Sequence, residues 1–163
     1  MKRIITLTLL ILTLQAYSFA QNELKKVYNE EINPMVQIDE AVGKAKNNGK
    51  HVVCQVGGNW CIWCLRFADF ISKDSAIDSL IKENFEFIHV NYNPRQKSSP
   101  ELMERLNNCG RFGYPVFVVL DGDGNVLHIQ DSSFLEEGKG YSQEKVMRFF
   151  KAWTPAAVKG EKK

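Results

Sequence analysis

Residues 51–64 read His51-Val52-Val53-Cys54-Gln55-Val56-Gly57-Gly58-Asn59-Trp60-Cys61-Ile62-Trp63-Cys64, a run in which strand formers give way abruptly to a cysteine pair. His51 to Val56 is rich in β-branched residues and nearly continuous in apolar character, the pattern of a strand buried on both faces. Gly57-Gly58-Asn59 ends it. From Cys61 to Ser72 the apolar residues Leu65, Phe67, Ala68 and Ile71 recur at helical intervals, so a helix opens at Cys61 and Cys64 lies one turn inside it. Both sulfurs then share one face of a helix N-terminus.

The flanking segments extend this pattern. Ile38, Ala41, Val42 and Ala45 recur at helical spacing up to a stop at Asn47-Asn48-Gly49, which predicts a helix over 38–48 ahead of the strand. Beyond the cysteines, Asp74 is placed to cap a helix over Ser75–Glu83 that buries Ile77, Leu80 and Ile81. Phe85 to Tyr92 alternates as a strand and Asn93-Pro94 ends it. Pro100 to Asn108 reads as a helix with Ser99 as cap and Leu102, Met103 and Leu106 inward, broken by Gly110 to Gly113. Val116 to Leu120 and Val126 to Gln130 read as a hairpin around Asp121-Gly122-Asp123-Gly124-Asn125. Ser142 to Trp153 gives a last helix with Val146, Phe149, Phe150 and Trp153 inward, closed by Pro155. Strands separated by helices, then a hairpin and a helix, predict an α/β fold: a central mixed β-sheet flanked by helices, with a C-terminal β-hairpin and helix.

The first twenty residues have the form of an export signal. Lys2-Arg3 precede the apolar run Ile4 to Leu14, and Ser18-Phe19-Ala20 forms a small-x-small cleavage site before Gln21. That run is about eleven residues where a membrane span needs about twenty, and no second long apolar run follows, so no stable membrane insertion is expected after cleavage. A retained anchor is the other reading of the same segment. Residues 21–35 are polar and irregular and are expected to form a lead-in that lies against the domain without a part in function. The domain itself is expected over 36–155, with a flexible basic tail over 156–163. Cleavage would lower Lys+Arg from 21 to 19 against 19 Asp+Glu, a formally neutral chain. With no basic stripe there is no case for nucleic acid as partner.

Four cysteines in an exported chain stand where disulfides persist. Thiol–disulfide exchange needs a thiolate, and an ordinary cysteine titrates near ~8.5, so a site for it must stabilise charge on sulfur. A helix N-terminus does so through unpaired amide N–H groups and roughly half a positive charge. Cys61 is thereby favoured as nucleophile. Cys64, on the same face, is placed to attack the mixed disulfide formed at Cys61 and release the substrate.

The strand, its Gly-rich exit, Trp60, the C-x-x-C opening a helix, and much later Gly113-Tyr114-Pro115 leading into a strand together resemble the thioredoxin superfamily. The resemblance covers about residues 36–153. It is nearest to exported thioredoxin-like proteins with a G-G-x-W-C-x-W-C site, here Gly57 to Cys64. It implies a cis Tyr114–Pro115 bond that presents the Tyr114 backbone to an extended substrate, with Trp60 and Trp63 as apolar walls beside Cys61. Core packing is the equal reading of Trp63. The resemblance implies no cofactor and no metal. Thioredoxins carry Gly-Pro between the cysteines where this chain has Ile62-Trp63, which leaves the direction of electron flow open. They also carry a buried acidic residue where Gln55 stands, so the proton of Cys64 must be handled otherwise, by water or by His89.

Cys54 and Cys109 admit a structural disulfide, two buried free thiols or, with the C-x-x-C pair, a zinc site, although paired zinc ligands usually come as two short-spaced pairs. His51, His89 and His128 fall in or beside strands as half-buried structural residues. Asp121-x-Asp123-x-Asn125 starts like a calcium loop but has Val126 and Ser132 where glycine and glutamate are needed, so a turn explains it better. The leading function is an exported, periplasmic or secreted, protein thiol–disulfide oxidoreductase acting on protein thiols or disulfides with a redox partner protein. The alternative is a thioredoxin-fold binding or chaperone module with little redox turnover.

Overall fold

The computed structural model describes residues 24–160. The expected signal and its cleavage site lie outside them. The chain runs α1 (Pro34–Asn48), β1 (His51–Gly57), α2 (Ile62–Lys73), α3 (Ser75–Asn84), β2 (Phe85–Asn91), α4 (Ser99–Arg105), β3 (Val116–Leu120), β4 (Val126–Asp131), a two-residue ribbon of β5 (Glu136–Glu137) and β6 (Gly140–Tyr141), α5 (Gln143–Ala152) and α6 (Pro155–Lys159). The main sheet has the order β2-β1-β3-β4. β1 pairs parallel with β2 and antiparallel with β3, and β3 pairs antiparallel with β4. It is the mixed sheet expected from the sequence.

β1 is buried at every position, as its unbroken apolar run requires of a strand covered on both faces. The period-two alternation of strands then sorts its side chains. Val52, Cys54 and Val56, with Val116, Val118 and Leu120 of β3, pack under α1 and α4. Val53, with Phe117 and Val119, packs under α2, α3 and α5 against Phe67, Ile77, Val146 and Phe150. Phe67, Phe117 and Phe150 are fully buried, each contributing about 2–3 kcal/mol from removal of apolar surface from water.

Three boundaries differ from the sequence reading, each for a local reason. α1 starts at Pro34 because Asn33 caps it, its Oδ1 accepting from Met35 N at 2.9 Å. The periodic apolar residues begin a turn later and conceal that cap. α4 ends at Arg105 instead of Asn108, because Asn107 and Asn108 both take left-handed φ, 51° and 53°, a conformation asparagine tolerates better than most residues. Ser99 is inside that helix, and its hydroxyl donates to the Asn93 carbonyl instead of capping. Lastly, residues 156–159 of the expected flexible tail belong to α6: Thr154 Oγ1 accepts from Ala157 N at 3.2 Å, Pro155 takes the first position and Gly160 closes it at φ 74°. Thr-Pro before and Gly after are helix-bounding signals masked by the basic composition of the tail.

The turn after β3 is closed on itself. Asp121 Oδ1 accepts from Asp123 N at 2.9 Å and Asn125 N at 2.8 Å, while Gly124 adopts φ 82°. Against the opposing effect of burial, the Asn125 side-chain amide, which donates to Asp121 Oδ2 at 2.9 Å, and those backbone amides keep the carboxylate below its ordinary titration range.

Candidate active site

β1 delivers the chain to the sheet's end at Gly57, and α2 starts five residues later. Cys61 is the N-cap residue of α2, with extended backbone, and its Sγ accepts from Cys64 N at 3.2 Å. No acidic residue occupies the first turn of α2, so no side-chain carboxylate there offsets the positive end of the helix dipole. Cys61 and Cys64 are disulfide-bonded, with Cα atoms 5.2 Å apart. Cys61 is 7% exposed and Cys64 is fully buried. Cys61 keeps a slight exposure that Cys64 lacks.

Trp60 is 60% exposed, but it is fixed in orientation. Its indole N–H donates to the Tyr92 carbonyl at 3.2 Å, and its ring meets Tyr114 edge-on at 5.5 Å. Tyr114 in turn stacks on Tyr92 at 5.0 Å. A side chain at Gly58 would run into the Trp60 indole, so glycine there is what lets the ring fold back. Tyr114–Pro115 is cis, and Tyr114 packs against the cluster that contains Cys61 and Cys64. Trp63 takes an intermediate place: half-buried, its ring meets Tyr141 edge-on at 5.8 Å and carries Arg66 over its face at 4.9 Å. It touches both the Cys61–Cys64 cluster and the core under α5.

The lead-in reaches the cysteine pair. Tyr28 is 5% exposed and packs with Cys61, Cys64 and Leu65. Its backbone is clasped by Asn59, whose Oδ1 accepts from Val27 N at 3.2 Å and Tyr28 N at 3.1 Å, while Nδ2 donates to the Tyr28 carbonyl at 2.9 Å. Gln55, fully buried, donates through Nε2 to the Tyr28 hydroxyl and to the Cys64 carbonyl, both at 2.8 Å. Its Oε1 is buried without a partner among the described residues. A Cβ at Gly57 would collide with Cys64 Sγ and stand 3.0 Å from the Tyr28 hydroxyl. Cys64 Sγ and the Tyr28 hydroxyl therefore both face the bare Cα of Gly57. Burial pushes the Tyr28 hydroxyl far above its ordinary range, so it is a hydrogen-bond donor at any working pH. The apolar pair Val27-Tyr28 inside a polar stretch was the available signal, and the Asn59 clasp was not readable from spacing.

His89 pairs in register with Gln55 on the neighbouring strand, and its ring meets Tyr28 edge-on at 5.4 Å. Burial pulls its pKa down to about 4, and its Nε2 is buried without a partner among the described residues. It stands behind Tyr28 as a neutral ring. His51 donates through Nδ1 to the Trp153 carbonyl, 2.9 Å away, and His128 stacks on Trp153 at 4.4 Å, so both serve the packing of α5.

Cys54 and Cys109 are free thiols, both buried on the sheet face opposite Gln55. Burial pushes Cys54 far up, with Cys109 adding to it, and raises Cys109 to about 11. Neither is a thiolate at neutral pH, and neither is a nucleophile there. Among the described residues no group of three or more His, Cys, Asp or Glu side chains is arranged to hold a metal, and no helix is long and apolar enough to cross a membrane.

Known proteins share this architecture. No curated protein matches the chain. A disulphide isomerase from Xylella fastidiosa Temecula1 superposes with a TM-score of 0.68 at 22% identity, over 79% of this chain and 97% of that one. A thioredoxin from Thermus thermophilus gives 0.55 at 16% identity, over 76% and 88%. An oxidoreductase described as DsbH gives 0.50 at 19% identity, over 81% and 90%. At these identities the likeness is one of fold. The family model described as Thioredoxin-like matches residues 33–122, a span that holds β1, the Cys61–Cys64 pair and the cis Pro115, and the chain belongs to that thioredoxin-like family.

Proposed function

We propose that the protein is an exported thiol–disulfide oxidoreductase acting on protein substrates, with Cys61 as nucleophile and Cys64 as resolving thiol. The observation that carries the reading is the placement of Cys61 at the N-cap of α2, its sulfur accepting a backbone N–H, with Cys64 bonded to it from one turn inside. A sulfur so held gains stability as thiolate. In the reduced enzyme the Cys61 thiolate attacks a substrate disulfide; one substrate sulfur leaves as thiolate and the other is joined to Cys61. Cys64 then attacks Cys61 Sγ, the second substrate sulfur departs, and two electrons have passed from the enzyme dithiol to the substrate. Run backwards, the same steps oxidise substrate thiols. A redox partner protein resets the pair.

Trp60 and Tyr114 supply the wall against which a substrate chain lies, Trp63 its flank, and the Tyr114 backbone ahead of Pro115 its edge. The apolar, signal-like start of the sequence supports export, and the persistence of disulfides outside the cytoplasm suits it. The names of the solved neighbours, a disulphide isomerase and an oxidoreductase, agree with this chemistry.

The test is turnover of insulin disulfides or scrambled ribonuclease. Cys61→Ser is expected to abolish it, and Cys64→Ala to accumulate mixed disulfides at Cys61. Turnover that survives Cys61→Ser, or client binding indifferent to that substitution with no wild-type turnover, would return the protein to the class of binding modules.

A further inference from the structure

Escape from the mixed disulfide requires a thiolate on Cys64, and in the opposite direction Cys64 must leave as one. Cys64 is fully buried, a setting that penalises charge unless a donor faces it. The side chains that the described residues place around it are uncharged: Gln55 is neutral, His89 is neutral with its ring against Tyr28, and its apolar cluster holds Tyr28, Cys61, Leu65, Leu24, Val27, Trp63 and Tyr114. The polar group that shares the bare Cα of Gly57 with Cys64 Sγ is the Tyr28 hydroxyl, and Tyr28 packs in the same cluster as Cys64. Its oxygen already accepts from Gln55 at 2.8 Å, which leaves its own hydrogen to be directed at the sulfur. In the disulfide form Cys64 Sγ carries no charge to attract it.

We propose that Tyr28 is a positioning residue for the second chemical step: its hydroxyl, held by Gln55 and by the Asn59 clasp, donates a hydrogen bond to the Cys64 sulfur as that sulfur becomes anionic. The inference rests on the oxidoreductase reading above. In the reducing direction the Cys64 thiolate, its proton released to water, attacks Cys61 Sγ, the Cys64–Cys61 bond forms, and the bond from Cys61 to the substrate sulfur breaks with its electron pair on the substrate. In the oxidising direction a substrate thiolate attacks Cys61 Sγ and the electron pair of the Cys61–Cys64 bond passes to Cys64. Tyr28 keeps its proton throughout. Its part is to stabilise the thiolate, not to take up the proton.

The arrangement separates the two steps. Attack by Cys61 depends on the end of α2, whereas resolution depends on the N-terminal strap. Tyr28→Phe, which keeps the ring and its packing, is therefore expected to leave the rate of Cys61 alkylation by iodoacetamide unchanged. It should slow collapse of a preformed Cys61 mixed disulfide with a model peptide about tenfold, since a hydrogen bond to a charged group is commonly worth that much, and shift the pH profile of collapse upward. Asn59→Ala, which loosens the strap but leaves the phenol in place, should slow collapse in the same direction and to a smaller extent. Collapse at the wild-type rate and with the wild-type pH profile in Tyr28→Phe would overturn the assignment of Tyr28 while leaving the oxidoreductase reading intact. Slowed alkylation of Cys61 equal to the slowed collapse would also overturn it, by showing a general distortion of the site. Absence of disulfide turnover in the wild type would instead remove the reading on which the inference rests.

Discussion

At the residue scale the side chains that matter most are polar groups under cover, and two of their atoms, Gln55 Oε1 and His89 Nε2, lack partners among the described residues. His89 illustrates the consequence. An unfolded chain binds a proton at His89 as the pH falls through 6.5, whereas the folded chain does so only near about 4. Between those values the unfolded state holds more protons, so stability is full above the upper value and is lost as the pH falls toward the lower one. The loss amounts to at most about 3 kcal/mol at one unit per ~1.4 kcal/mol. Urea unfolding near neutral pH and near pH 4.5 measures it, and His89→Gln is expected to flatten the difference; an unchanged difference would assign the acid sensitivity to another group. Gln55 was legible in the sequence as a departure from the superfamily, but its phenolic partner was not. That partner, Tyr28, lies 27 positions upstream and is brought in by Asn59, a contact that no periodicity encodes.

At the element scale the junction of β1 and α2 makes the site. A continuous β-branched run, a glycine pair and a cysteine pair at helical spacing are local signals, which is why strand, turn and helix could be read directly. Gly57 shows what the junction demands. It is the last residue of β1, and a methyl group there would strike Cys64 Sγ. Gly57→Ala is expected to destabilise the protein by about 1–3 kcal/mol, the usual cost of overpacking, and to displace Cys64 from Cys61. Thermal melting of the oxidised and reduced forms checks this, with the larger loss expected in the oxidised form; equal melting to the wild type in both would deny the collision. Element ends were harder to read than element interiors. The starts of α1 and α6 depend on single caps, Asn33 and Thr154, and the end of α4 on two left-handed asparagines, signals weaker than an apolar stripe spread over several turns.

At the scale of the whole molecule, one sheet buried on both faces joins two apolar layers. β3 contributes alternate residues to each, with Phe117 and Val119 to one and Val116, Val118 and Leu120 to the other. Phe117 stacks against Phe67 of α2 at 4.4 Å and reaches Phe149 of α5 at 5.9 Å. It ties the helix that carries the cysteines to the C-terminal helix. Phe117→Ala is expected to cost about 3–5 kcal/mol, read as a lowered denaturation midpoint, with a single transition retained by circular dichroism and by tryptophan fluorescence. Two separate transitions would mean that the layers unfold independently. The order of elements and the mixed sheet were legible because they follow from alternating periods of two and 3.6. The N-terminal strap was not, because its polar sequence has neither period.

The Asn59 clasp has one more consequence. A residue inside the cysteine motif grips a stretch of chain that belongs to no helix or strand of the sheet, so the lifetime of the covalent intermediate can drift in evolution, or be set by design, through changes at residues 24–33. Exchanging that decapeptide between relatives would retune how long a client stays attached while leaving untouched how readily it is first seized.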